Sequence, residues 1–391
     1  MRAVTLAALA VRGILRNKMR TALTVLAAVF ALVAFVLLRT IVDAYYVFAD
    51  QASEDRLSTR HKVSAAVPLP MRYVDAVRGL PGVRAATFAT LVGSKATNHP
   101  DTFIPALAVE PASFLEVFDE VVVTAEAKAA WLEDRQGALV AEALARKLGL
   151  SVGERVTLVG TRINGEWQLT VRGIYSTARQ ASSGSELLFH WAHLNETLSP
   201  RERDHVRWVF SRVRGATEAV GVGEAIDRMF EQKDVPTLTM SEKAVQLAAL
   251  AGVSSILTSV DVASIVILAI SMLVLGNTIA MGVRERVTEY ATLRALGFAS
   301  RHLAFLILGE ALTFGFVAGA LGVALSYPVV ELGMGRWLEQ NMGNLVPYFR
   351  VDPMTLVATL LIAILVGLLA AGIPAIQAIR SPVIQGLRRT G

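Results

Sequence analysis

The chain has 391 residues, of which 53% are hydrophobic and 18% charged, with a net charge of +5 and no cysteine. The charged share lies below the roughly 25% usual for soluble domains, which points to an integral membrane protein with a water-facing part. The lack of cysteine excludes disulfides, thiolate chemistry and Cys-ligated metals. The basic residues sit beside apolar runs, where membrane topology explains them better than nucleic acid does.

Residues 1–20 carry Arg2, Arg12, Arg16, Lys18 and Arg20 and no acidic residue. Leu6, Leu9, Ala10, Gly13 and Ile14 fall near one face at helical spacing, which predicts a cytoplasmic amphipathic helix on an anionic membrane surface. A signal peptide fits less well, because the next apolar run exceeds an h-region and no small-x-small cleavage site follows it. Residues 21–42 form the first predicted span, with the positive charge holding its N-terminus inside. Residues 43–255 form a predicted extracytoplasmic α+β domain with stalk helices. The span's helix is expected to continue over Thr40–Leu57, with Tyr45, Tyr46 and Phe48 at the interface.

Within the domain, strands are predicted at His61–Val67, Arg84–Val92, Phe103–Val109, Arg155–Val159, Trp167–Tyr175 and Arg207–Val213, and helices at Pro70–Gly79, Glu142–Lys147 and Glu218–Gln232. Gly82 reads as a turn, and Asn164-Gly165 as a hairpin. Gly137–Thr161 reads as strand–helix–strand, with Gly149 capping the helix and Gly153 opening the next strand. No Lys-Ser or Lys-Thr follows these glycines, so they form no phosphate loop. From Ser241 the chain is helical again, and its start pairs with the Thr40–Leu57 extension as a second stalk helix.

Residues 256–283 are the second span, with Asp261 at its outer edge. Residues 284–301 are a charged cytoplasmic segment, and 302–330 the third span. Residues 331–354 are an extracytoplasmic loop with Trp337, Tyr348 and Phe349 at the interface. Residues 355–379 are the fourth span, interrupted near Gly372 and Pro374, and 380–391 a cytoplasmic tail with Arg380, Arg388 and Arg389. The fold class is thus a membrane protein with four transmembrane α-helices in 1+3 order, both termini cytoplasmic, and a large α+β extracytoplasmic domain on a helical stalk between the first two spans. In the third span Gly315, Ala318, Gly319 and Gly322 stand at small-xxx-small spacing. Packing within the chain and packing on a second copy both fit that spacing.

No catalytic set emerges. Glu310 is an acid inside the third span, a functional candidate by position. No second acid or histidine lies in a span, so pairing with Arg301 or His302 competes with a transport-coupling role. His190 and His193 stand three apart without a third ligand. Ser182, Ser183 and Ser185 lie in a polar loop without a nucleophile motif.

The segment Met281–Arg301 is more specific. As a helix it sets Val283, Val287, Tyr290 and Ala291 on one side, and Arg286 can pair with Glu289 and Tyr290. Gly297 stops it. An alternation of apolar and charged positions suits a docking helix that buries its apolar side in a partner's groove.

Asn277–Leu303, with Asn277, Arg284, Glu285, Arg286, Glu289, Leu293, Arg294, Ala295, Leu296 and Gly297, resembles the signature of FtsX/MacB-type ABC transporter permeases. The basic start Arg16–Leu23, the patch Gly137–Leu158 and the ending Pro374–Leu387 agree with it. Where the family often has Ile and Gly after the core Glu, this chain has Tyr290 and Ala291, which leaves the partner's identity open. The resemblance implies an ATPase dimer on a separate polypeptide, which binds the Mg-ATP, no cofactor in this chain, and a second permease copy or paralogue. It also implies a bacterial inner-membrane location and an exporter that moves or extracts cargo by mechanical transmission. The ATPase-coupling residues would be Arg284, Glu285, Arg286, Glu289, Tyr290, Leu293, Arg294, Leu296 and Gly297, while Gly315, Gly319 and Gly322 pack helices. A periplasmic adaptor or cargo protein and membrane lipids are further expected partners, and nucleic acid is not. The alternative is an FtsX-like signalling permease that controls an extracytoplasmic cell-wall hydrolase without cargo. The domain's size favours the MacB and lipoprotein-release branches. An enzyme in its own right has no supporting residues.

Overall fold

The computed structural model describes residues 18–178, 186–342 and 349–380. The expected amphipathic helix up to residue 17, Ser182, Ser183, Ser185, Tyr348, and the tail from residue 381, with Arg388 and Arg389, lie outside the described residues. In chain order come α1 (Lys18–Asp50), β1 (Arg56–His61), β2 (Leu69–Pro70), α2 (Arg72–Arg78), β3 (Val83–Ala96), β4 (His99–Val109), α3 (Pro111–Val117), β5 (Val121–Val122), α4 (Ala125–Glu133), β6 (Gly137–Ala141), α5 (Glu142–Leu148), β7 (Arg155–Gly160) and β8 (Glu166–Thr177). Then follow β9 (Leu187–His190), α6 (Trp191–Thr197), β10 (His205–Val206), β11 (Trp208–Val213), α7 (Ala216–Phe230), β12 (Thr237–Ser241), α8 (Glu242–Glu285), α9 (Val287–Ala295), α10 (Ser300–Pro328), a π-helical turn (Val329–Met334), α11 (Gly335–Met342) and α12 (Pro353–Arg380). The chain divides into two compact units. A helical unit takes the chain up to Ala44, Ser254–Arg336 and the residues from Phe349. An α/β unit takes Tyr45–Val253 and Trp337–Tyr348.

In the α/β unit a ten-stranded sheet runs in the order β12-β1-β11-β3-β4-β9-β6-β8-β5, with β7 pairing to both β3 and β8. Strands β3, β4, β9, β6, β8 and β7 therefore close into a ring. Its parallel pairs are β4–β9 and β6–β8. Strand β6 lies between β9 and β8 with every residue buried, which is why GALVA is a continuous apolar run. Trp131, Trp167, Leu139, Leu158 and Phe189 fill the ring's core. A second core lies where α2 and α7 pack near β1, β11 and the start of β3, and there Tyr73 stacks on Phe230 with centroids 3.9 Å apart. Helix α7 presents Ala219, Val222, Ile226 and Phe230 inward at helical spacing.

Several expectations need correction. The strand expected at His61–Val67 is β1, Arg56–His61, and Val63 is 83% exposed. Pairing decides this register. Leu57 lies opposite Ser241, and the Thr59 and Thr239 hydroxyls bond at 2.9 Å, whereas the apolar residues after His61 have no strand beside them. The helix expected to reach Leu57 ends at Asp50. The 155–177 hairpin forms with a five-residue connection rather than an Asn-Gly two-residue turn, and the Trp167 ring lies against Gly160 and Gly165. Gly149 does cap α5 with φ +66°.

Among the described residues the helical unit holds four helices long and apolar enough to cross a membrane, drawn from α1, α8, α10 and α12. Their shared core includes Val29 and Leu32, Leu275 and Ile279, Ile307 and Phe314, and Ala371 and Ala375. Helix α10 meets α12 at backbone distance. A Cβ on Gly315 would lie 2.7 Å from the Ala363 carbonyl oxygen, and one on Gly367 would lie 2.8 Å from that of Ala311. A Cβ on Gly319 would meet Ala363 Cβ at 2.9 Å, and one on Gly322 would meet Leu32 Cβ at 3.0 Å. The small-residue stripe thus packs on two helices of its own chain.

Beyond Pro328 the expected loop stays helical through the π turn and α11. Proline has no N–H for the helical ladder, and the chain widens into the π turn directly after it. Phe349, expected at the interface, is buried. Helix α12 runs unbroken through Pro374, against the expected interruption.

Candidate functional site

Helix α8 ends at Glu285, because Arg286 leaves the helical region with φ −108° and ψ 14°. The chain restarts as α9, and the Tyr290 N–H donates to the Arg286 carbonyl at 2.9 Å. The stop is a glycine cap. Gly297 takes φ +90°, the Phe298 N–H donates to the Leu293 carbonyl at 3.1 Å, and the Gly297 N–H donates to that of Arg294 at 3.0 Å. Helix α10 then begins with the Ala299 N–H donating to His302 Nδ1 at 3.2 Å.

Two ion pairs tie this segment to the bundle. Arg20 of α1 donates to both oxygens of Glu285 at 2.6 and 2.9 Å. Arg286 donates to Glu310 of α10 at 3.2 Å, with both side chains about 15% exposed (15% and 16%). Nearby, the Thr24 and Thr278 hydroxyls bond at 3.0 Å and join α1 to α8. Burial raises the Tyr290 hydroxyl's pKa above its ordinary value, against the lowering effect of the Arg286 guanidinium, which also bonds to it.

The predicted site residues therefore separate. Tyr290 is buried and Leu293 packs on the same core. Glu285 and Arg286 are engaged with α1 and α10. Arg284, Glu289, Leu296 and Gly297 are exposed, Leu296 at 72%, and Arg294 is half-buried. Of the apolar face expected to enter a partner's groove, Val283, Tyr290 and Ala291 are instead buried within this chain and Val287 is half-buried. That face continues the inward line Leu275, Ile279, Val283 of α8, so the bundle claims it first. Glu310 pairs with Arg286, not with Arg301 or His302. Arg301 precedes Glu310 by nine residues on the same helix, about 13 Å along its axis, whereas the α8–α9 break brings Arg286 alongside. Arg20, read from the sequence as part of the basic start and not as a site residue, is part of the assembly. Its opposite charge at the same end of a span was the available signal.

A second charged cluster, absent from the sequence reading, lies in the α/β unit. Arg56 of β1 is 2% exposed. It donates to both Glu120 oxygens at 2.9 and 2.7 Å, through Nε and Nη2 to Glu242 Oε2 at 3.0 and 2.6 Å, and to the Val117 carbonyl at 3.3 Å. Its guanidinium lies 4.1 Å from the Phe118 ring centre. Beside it Arg212 pairs with Asp55 at 3.2 Å and with Asp119 at 2.9 Å. Burial pushes the Asp55 carboxyl up, but the bonds from Ser53 and Arg212 outweigh it and hold its pKa below the ordinary value. Among the described residues, no group of three or more His, Asp or Glu stands in metal-binding range. His190 Nε2 is 2.7 Å from the Trp131 carbonyl, which only accepts, so Nε2 carries the proton. Burial holds its pKa down.

Four helices of membrane-spanning length and apolarity among the described residues, with a strand-rich unit inserted after the first, mark an integral membrane protein. The family described as MacB-like periplasmic core domain matches residues 21–229, more than half of the chain. The family described as FtsX-like permease C-terminal matches residues 262–383. The chain belongs to the ABC transporter permeases of the MacB/FtsX type. An uncharacterized ABC transporter permease protein of Mycobacterium tuberculosis is 25% identical over 275 residues, 65% of this chain. The chain spans 29% of that relative's length. The extracellular domain of the noncanonic ABC-type transporter YknZ from Gram-positive bacteria is similar over 48% of this chain and 100% of its own, at 13% identity and TM-score 0.37. The periplasmic region of MacB from Actinobacillus actinomycetemcomitans is similar over 51% of this chain and 94% of its own, at 8% identity and TM-score 0.37.

Proposed function

We propose that the chain is the permease subunit of an ATP-driven ABC exporter in a bacterial inner membrane, and that residues 284–301 take the ATPase stroke on the cytoplasmic side. One observation carries this reading. The segment is bonded to α1 through Arg20–Glu285 and to α10 through Arg286–Glu310, while Arg284, Glu289 and Leu296 are turned outward. A push on the outward residues would move a short capped helix that is tied to two spans, so the load passes into the bundle rather than into a loose loop. Helices α1 and α8 run unbroken in sequence from the helical unit into the α/β unit and would carry the displacement outward to act on cargo. The ATPase dimer would supply Mg-ATP binding and hydrolysis, and a second permease copy would complete the pair.

The test is Glu289→Ala with Arg294→Ala, followed by co-purification with the ABC ATPase of the same cell and by ATP turnover in nanodiscs. Weakened association and reduced turnover are expected. Unchanged binding together with unchanged turnover would sink the coupling role.

A further inference from the structure

The α/β unit contains a cavity of about 420 Å³ on the face of its sheet, of the size that takes a drug-sized molecule. Trp208 and Phe210 stand two apart on β11 and so share a face, which with Leu107 forms an apolar floor, and Phe114 and Phe118 add aromatic walls. Gln51 and Ala52 after α1, and Val245 and Gln246 at the start of α8, also line it.

The charged lining is lopsided. Among the described residues it holds one guanidinium, Arg56, and three carboxylates, Glu120, Glu186 and Glu242, with no lysine or histidine. A guanidinium has five N–H donors. Those of Arg56 are matched by five bonds to Glu120, Glu242 and the Val117 carbonyl. An anion entering the cavity would therefore find no free donor on Arg56 and the carboxylates of Glu120 and Glu242 beside it. Glu242 takes the bonds from Arg56 and from the Ser53 N–H on Oε2, and its Oε1 carries no bond among the described residues. A hydrogen-bond donor with positive charge would complete that carboxylate, and aromatic faces favour a cation over a neutral donor.

We propose that this cavity is a binding site for an apolar organic cation, a molecule with one protonated amine on an apolar body, its amine directed to Glu242 and its body laid on Trp208, Phe210 and Leu107. The site stands on the cavity and its charges alone and does not depend on the coupling reading of residues 284–301.

The full chain in phosphatidylcholine nanodiscs would be titrated with N-dansylcadaverine, its uncharged N-butyl dansylamide analogue and the carboxylate dansylglycine, with protein-free nanodiscs as the blank. Fluorescence anisotropy is the readout. Saturable binding is expected, with the amine about tenfold tighter than either analogue, the worth of one charge-assisted hydrogen bond. Glu242→Gln should remove that preference while the uncharged probe keeps its affinity. Leu107→Trp fills the floor, leaves the Arg56 bonds intact, and should abolish saturable binding of all three. Equal affinity for the three probes, tighter binding of dansylglycine, or amine binding unchanged in Leu107→Trp would each overturn the proposal. The first two would assign the cavity to neutral or anionic lipid.

Discussion

The Arg286 guanidinium donates to the Glu310 carboxylate at 3.2 Å, so the break that separates α8 from α9 is bonded directly to α10. Both side chains are mostly shielded. Removing one partner leaves the other charge poorly solvated, so Glu310→Ala should lower stability by about 2–3 kcal/mol. Glu310→Gln keeps an acceptor for Arg286 and should lose less. The Arg20–Glu285 pair is bidentate but more open, 24% and 53% exposed, and Arg20→Ala should cost only about 0.5–1 kcal/mol and lose its effect at high salt. Thermal unfolding in detergent, read by circular dichroism, ranks the three. Equal melting of Glu310→Ala and the parent would show that the bond holds nothing.

The glycines of α10 predict a graded series. A Cβ on Gly315 meets backbone at 2.7 Å, one on Gly322 meets the Leu32 side chain at 3.0 Å, and one on Gly372 of α12 meets nothing within 4 Å. Gly315→Ala should therefore cost about 1–3 kcal/mol, because a backbone contact cannot turn aside. Gly322→Ala should cost less. Gly372→Ala should be neutral or stabilising, since it removes only chain freedom. Detergent-resistant folding of the three variants checks the order.

Charged pairs in the α/β unit set its acid response. The Asp134 carboxyl is pushed up by burial, but its bonds from Arg172 and the Gln136 N–H outweigh this and lower its pKa, as happens at Asp55. A carboxyl with a lowered folded-state pKa contributes stability that is complete above its unfolded pKa and is lost as pH falls through the folded one. The His190 pKa is lowered chiefly by burial, so its neutral form is the stable one, and its contribution is lost as pH falls from the ordinary histidine value toward the lowered one. All three act in one direction. The protection factors of β6 and β9, taken against the intrinsic exchange rate at each pH, should fall in two stages on acidification, and His190→Gln should remove the first. A constant protection factor from neutral pH into the histidine range would contradict the assignment.

How much of this was readable beforehand follows from sequence distance. The break at Arg286 interrupts what reads as one helix from Val283 to Ala291, whereas the helix after it and the Gly297 stop carry local signals and stand where the pattern put them. The partners do not. Glu310 was matched to its neighbours Arg301 and His302, because nothing local reveals that α8 delivers Arg286 to it. Arg56 is 64 residues from Glu120 and 186 from Glu242, and no periodicity joins them. The apolar side of α9 was legible as apolar, but whether its own bundle or a partner covers it depends on how α8 is rotated, which the pattern leaves open.

Arg56 makes its own prediction. Lysine has three donors on a point charge and cannot reproduce a five-bond planar fork. Arg56→Lys should destabilise the α/β unit by about 2–4 kcal/mol, since Glu120 stays buried with part of its bonding lost. Hydrogen exchange should quicken first at residues 53–61 and 237–243, the strands and helix start that Arg56 and Glu242 join. Protection unchanged in those segments would mean the cluster is incidental to the unit's stability.

The two faces of α9 can be separated by two substitutions. Tyr290 is buried against the bundle and bonded by Arg286, whereas Leu296 is 72% exposed at the glycine cap. Tyr290→Ala empties a core position and should cost about 3 kcal/mol, so it lowers the melting temperature and, through that, every activity. Leu296→Ser removes apolar surface that the chain itself does not cover, so it should leave the melting temperature within about 1 °C while reducing ATPase association and turnover. A docking role requires that second pattern, loss of partner response at constant stability. If Leu296→Ser retains full ATPase association and turnover, the exposed end of α9 is not where the stroke is received, and the ties to α1 and α10 are then a packing device only.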